Sequence, residues 1–213
     1  MESKLGEISA AFSNQYSGWI LWNLFLAFVP MVLSFWLFRR RKGSRSGIWW
    51  LVFAIYIAFL PNAPYLLTDI IHLIRAVRHG FSIIAIALAF IPLHIVAILA
   101  GFETYVVSLL NQGEYLRKQG ARQYILWTEL LTHALCSLGV FMGRFRRYNS
   151  WDLVLDPNII VEQTLDDLTS KRSLLVIAVT FVVITVLYWL MKQITLGLVL
   201  RWRYARVGKE IEL

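Results

Sequence analysis

The thirty residues from Phe81 to Leu110 read FSIIAIALAFIPLHIVAILAGFETYVVSLL, and Glu103 is the one formally charged side chain among them. At about 1.5 Å per residue such a helix runs about 45 Å, more than the roughly 30 Å hydrocarbon core of a bilayer. A helix on the surface of a soluble protein carries a polar face, and this stretch has none. It predicts a span that continues past the membrane boundary.

Four further blocks repeat the pattern. Trp19 to Phe38 is interrupted only by Asn23, Pro30 and Ser34, and Ile48 to Leu60 continues through Pro61-Asn62-Ala63-Pro64 to Leu67. Tyr124 to Met142 carries Glu129 and His133, and Ser173 to Leu190 is prolonged by Ile194 to Leu200. The expectation is an all-α polytopic helix bundle of about five spans, six if 64–77 crosses, forming one integral membrane domain over 1–213. Composition agrees: 58% of the 213 residues are hydrophobic and 16% charged, where soluble domains hold about half and about a quarter. That apolar content excludes disorder, and a single cysteine, Cys136, excludes a disulfide scaffold. Arg39-Arg40-Arg41-Lys42, rather than a small-residue cleavage site, follows the first block, so it is expected to remain as an anchor.

The formal charge of +8 with a pI near 9.8 is mostly an orientation signal. Lys and Arg flank the spans, with Trp49, Trp50, Trp202 and Tyr204 as belt residues, and no basic domain exists to hold nucleic acid. With five spans, more of the basic loop residues fall on the side of the carboxyl terminus. This predicts an inner-membrane protein with its amino terminus outside and its carboxyl terminus in the cytoplasm.

Three groups of polar residues are not explained by spanning alone. The first is Pro61-Asn62-Ala63-Pro64-Tyr65-Leu66-Leu67-Thr68-Asp69-Ile70-Ile71-His72-Leu73. Its two prolines remove two amide donors and push residues 60 and 63 out of the α region, so a helix broken at 61–64 is expected. Backbone freed at membrane depth lines a cavity unless it lies in an interfacial turn, the plainer reading. Thr68 or Asp69 could cap a following helix with Asp69, His72 and His79 along one side.

The second group lies in the fourth block, where Glu129, His133, Cys136, Val140 and Arg144 share one helical face. Charge facing lipid costs about 2.5–3.5 kcal/mol at mid-span, so this stripe is expected to face protein, with Glu129 and His133 able to bond each other at i, i+4. His94 is expected to bond a neighbouring helix rather than a metal, and Glu103 to pair with Arg117, Arg122 or His133.

The third group is Gly143-Arg144-Phe145-Arg146-Arg147-Tyr148-Asn149-Ser150-Trp151-Asp152. Arg144, Arg146 and Arg147 form a natural cradle for phosphate or carboxylate, with Asn149 as donor and Asp152 as base. The plainer reading is an interfacial anchor. In a five-span chain this segment and the PNAPYLLTDIIHL segment emerge on the same face. A short interfacial helix follows at 157–169, begun by Asp156-Pro157, whose Val161, Leu165 and Leu168 are expected to pack on protein. No Gly-rich phosphate loop, zinc motif or nucleophile elbow is present, so no cofactor and no metal site is expected.

These two external segments, with Phe59-Leu60 before the first and Pro157 after the second, resemble an uncharacterised family of bacterial integral membrane proteins labelled only as a domain of unknown function. The resemblance covers nearly the whole chain. It implies a small polytopic membrane protein whose polar motifs include Asn62, Tyr65, Asp69, His72, Arg144, Arg147, Asn149, Trp151 and Asp152, and it implies no activity. Members of that family tend to carry a Trp and an acidic residue shortly before the third span, where this chain has His79-Gly80-Phe81-Ser82.

Three classes of function fit. The leading one is an external interfacial site for an anionic lipid headgroup, lipid-linked substrate or small anion. Arg144, Arg146 and Arg147 would hold charge, while Asn62, Tyr65, Asn149 and Trp151 would orient the ligand. Asp69, His72 and Asp152 would handle protons in any acid–base catalysis. The second is a transporter using His94, Glu129 and His133 as a relay. The third is an assembly subunit that binds a membrane partner or a second copy of itself through 157–169.

Overall fold

The computed structural model describes Gly6 and residues 19–40, 45–78 and 81–207. His79 and the amino tail lie outside the described residues. Among those described, regular structure is helical throughout, and five helices are long and apolar enough to cross a membrane: Ile20–Arg39, Gly47–Arg75, Ile83–Lys118, Arg122–Arg146 and Lys171–Arg206. These are the first to fifth spans below. Segment 64–77 does not cross separately, because it continues the second span.

Small residues draw the spans together. A Cβ added at Gly101 of the third span would stand 2.7 Å from Leu66 Cδ1, and one at Gly139 of the fourth would stand 2.6 Å from Pro61 Cγ. Such close approach substitutes for the hydrophobic driving force that helices in lipid lack. The first span lies against the third, where the Thr104 hydroxyl reaches the Ala27 carbonyl at 2.9 Å. The core runs through Ala27, Tyr56, Leu60, Leu66, Phe102, Tyr105 and Ile184, all buried. The fifth span packs on the fourth and turns most of its apolar surface outward.

The second span is interrupted where the prolines require it, though not by leaving the helical region. Its helix ends at Phe59 and resumes over Asn62–Tyr65, yet Leu60 (φ −57°, ψ −37°) and Pro61 (φ −60°, ψ −22°) stay right-handed. Ala63 lies within the resumed helix, so the expectation that residues 60 and 63 leave the α region is overturned for both, and what changes is the hydrogen bonding. Pro64 has no amide for the Leu60 carbonyl, which instead accepts from the Ala63 amide at 3.2 Å. The Phe59 carbonyl so released accepts from Asn62 Nδ2 at 2.8 Å. A tighter turn over Leu66–Asp69 follows, then a helix over Ile70–Arg78. Neither Thr68 nor Asp69 caps it: the Thr68 hydroxyl donates back to the Tyr65 carbonyl, and Asp69 accepts from Asn23.

The helix Pro157–Thr169 begins with proline in its first turn. Its orientation reverses the expected one: Val161, Leu165 and Leu168 are exposed, while Ile160 and Asp167 are buried. Apolar side chains need no protein cover beside lipid, whereas a carboxylate needs a partner, and Asp167 finds Arg146.

Candidate functional site

Where the first, second and fourth spans approach the 147–151 segment, they enclose a cavity of about 480 Å³. Trp22, Asn23 and Leu26 form one wall and Leu135, Leu138, Gly139 and Met142 the other; Ile57, Ala58 and Pro61 make the back. Its polar end carries Asn62, Tyr65, Arg147, Tyr148, Asn149, Ser150 and Trp151, of which Arg147, Asn149 and Trp151 are exposed. The two polar segments thus meet in space. Asn62 Nδ2 lies 2.9 Å from Ser150 Oγ and donates to it, and a Cβ at Gly143 would meet the Tyr65 ring at 3.1 Å.

The three arginines do not act as one cradle. Arg146 is committed to Asp167 in a forked pair, Nε to Oδ2 at 3.0 Å and Nη2 to Oδ1 at 2.7 Å. That guanidinium, with Ser173 Oγ at 3.2 Å, holds the Asp167 carboxyl below the ordinary carboxylate range despite its burial. Arg144 is half-buried and does not line the cavity. Arg147 alone lines the cavity. It does so because the fourth span ends in a π-helical turn, Met142–Arg146, after which Arg147 adopts the left-handed conformation (φ 61°, ψ 30°). It is the one non-glycine residue with positive φ among those described. Glycine is the usual occupant of such a helix end, and other residues pay of order 1–2 kcal/mol there. An arginine kept at that position directs a guanidinium where a regular helix would not.

The remaining candidates divide. Asp152 accepts from the Asn149 amide at 2.7 Å, fixing the turn that presents Asn149 and Ser150, and it does not line the cavity. Asp69 is buried and accepts from Asn23 Nδ2 at 3.0 Å. Since Asn23 itself lines the cavity, one side chain separates the cavity from this carboxylate. His72, one helical turn further, is partly buried near Arg144.

His94 is buried, and its Nδ1–H donates to the Phe90 carbonyl at 2.8 Å, a bond within its own span. Glu129 and His133 are both buried but do not bond each other. Glu129 accepts from Tyr188 Oη at 2.7 Å and Lys192 Nζ at 2.6 Å. His133 Nδ1 shares a 2.6 Å hydrogen bond with the Tyr105 hydroxyl. Glu103 accepts from Thr195 at 2.8 Å, in place of any of its expected partners.

Asn23, Tyr105, Tyr188 and Lys192 carry no motif that marks them in the sequence; Asn23 stands there only as a polar interruption in an apolar block, and Lys192 as a charge before the end of the last one. Among the described residues no group of histidine, cysteine and acidic side chains is arranged to hold a metal ion.

No curated protein and no solved structure matches this chain. A family model matches residues 22–186, an interval that includes every residue lining the cavity. The chain belongs to that family, described as Protein of unknown function (DUF1361).

Proposed function

We propose that this multi-pass membrane protein binds an anionic headgroup or small anion in the cavity between its first, second and fourth spans. Arg147 supplies the charge, Asn62, Asn149 and Ser150 the hydrogen bonds, and Tyr65 and Trp151 the aromatic walls. The observation that carries this reading is Arg147 held in a left-handed conformation at the mouth of a cavity lined by both polar segments. A guanidinium at a partly enclosed site favours phosphate or carboxylate, and each charge-assisted bond contributes about 1.5–3 kcal/mol. The basic loop residues support an inner-membrane setting with this face outside. Any proton handling belongs to Asp69 and His72 rather than to Asp152, whose carboxylate is occupied by its own turn.

The test is titration of the purified protein with glycerol phosphate. Arg147→Gly, which suits the backbone at that position, is expected to weaken binding about ten- to hundredfold. Equal binding by both proteins refutes the reading.

The second reading, a proton-coupled transporter, is favoured by buried Glu129, bonded to Lys192 and Tyr188, beside His133–Tyr105. Proton flux in reconstituted vesicles that is lost in His133→Ala would select it; vesicles that stay tight would reject it.

A further inference from the structure

We propose that the cavity's occupant is one anionic phospholipid, taken laterally from the bilayer, with its phosphate at Arg147 and an acyl chain in the apolar slot beneath. This rests on the anion-site reading and names its ligand.

The first argument is depth. From Leu135 to Arg147, which directly follows the fourth span, cavity residues recur over twelve residue steps, about 18 Å at helical rise. That slightly exceeds the apolar depth of one leaflet, about 15 Å or half of a core of roughly 30 Å. A free anion needs only the polar end; the stretch between Leu26, Ile57, Ala58, Leu135 and Leu138 is apolar.

The second is access. The first and fourth spans each pack beside the Asn62–Tyr65 turn, yet they barely touch one another, so a slot separates them. At its lips stand Trp22 and Leu135, which line the cavity and are 51% and 44% exposed. In a membrane the surroundings are lipid, and an acyl chain passes between the two spans without leaving an apolar medium.

The third is polarity. Hydrogen-bonding groups concentrate at the mouth, with Arg147 and Asn149 beside Asn62 and Ser150, while apolar side chains dominate the depth. The gradient runs as it does in a phospholipid, and the guanidinium selects an anionic headgroup.

The test uses purified full-length protein in detergent. Binding of short-chain phosphatidylglycerol, short-chain phosphatidylcholine and glycerol phosphate is measured for the wild type, Arg147→Gly and Ala58→Phe. Expected are binding of phosphatidylglycerol at least tenfold tighter than of the other two, loss of that preference in Arg147→Gly, and loss of phosphatidylglycerol alone in Ala58→Phe. Leu26→Trp, from the opposite wall, replaces Ala58→Phe should that variant not fold. If glycerol phosphate binds as tightly as phosphatidylglycerol and filling the slot changes neither, the lipid proposal is overturned and the anion site stands. If both lipids bind equally in the wild type and Arg147→Gly alike, or nothing binds, both readings fail.

Discussion

Asn62 donates to Ser150 across 2.9 Å, joining residues 88 positions apart and closing the second span onto the loop after the fourth. The same side-chain nitrogen serves the Phe59 carbonyl released by Pro64. One amide therefore repairs the proline interruption and ties the two polar segments together. Removing Ser150's hydroxyl takes one of these bonds and removing Asn62's amide takes both. Ser150→Ala is expected to cost about 0.5–1.5 kcal/mol and Asn62→Ala about 1–3 kcal/mol, the larger value because a carbonyl is orphaned. Denaturant titration in mixed micelles checks the order; equal costs would show that the Phe59 bond contributes nothing.

Arg147 is strained where it stands. With φ at 61°, glycine relieves of order 1 kcal/mol while alanine keeps the strain. Arg147→Gly should thus unfold at the wild-type midpoint or above it, and Arg147→Ala below Arg147→Gly. An Arg147→Gly variant less stable than Arg147→Ala would show that the guanidinium holds the fold together and is not reserved for a ligand.

The pair between Arg146 and Asp167 predicts a pH dependence. Arg146, then Ser173, lowers the folded-state pKa of Asp167 below its unfolded value of about 4. A depressed carboxyl contributes stability that is fully present above the unfolded value and is lost as pH falls through the folded one. The gap in stability between wild type and Asp167→Asn should be constant above about pH 5 and narrow below pH 4. Limited proteolysis of the 157–169 helix across that range measures it. A gap that does not change between pH 6 and pH 3 would contradict the assignment.

Glu129 is buried with Lys192 and Tyr188 as its donors. Lys192→Met strands a carboxylate and is expected to cost about 3 kcal/mol or more, while Glu129→Gln combined with Lys192→Met should cost clearly less. Additive costs in thermal unfolding would mean that the two side chains are independent.

Much of this architecture is readable from sequence because lipid imposes one simple rule: about twenty apolar residues per crossing. That the PNAPY and GRFRRYNSW segments share one face follows as well, since two crossings, the third and fourth spans, lie between them. The division among Arg144, Arg146 and Arg147 does not follow. It depends on Asp167, 21 residues beyond Arg146, and on a π-helical turn that shifts the last helical residues out of register. The helix at 157–169 departs from its expected orientation for a related reason: apolar side chains seek cover in water but not beside lipid, so the buried face is the one that carries Asp167. Lys192 reads as a tail charge until Glu129 is seen opposite it.

The central claim is that one arginine of the three faces the ligand. Glycerol phosphate affinity, measured by calorimetry on folded Arg147→Gly and Arg146→Gln side by side, tests it most directly. The account predicts a loss of about ten- to hundredfold in Arg147→Gly and wild-type affinity in Arg146→Gln, which loses stability only. Equal loss in both variants, or loss in Arg146→Gln alone, would contradict it.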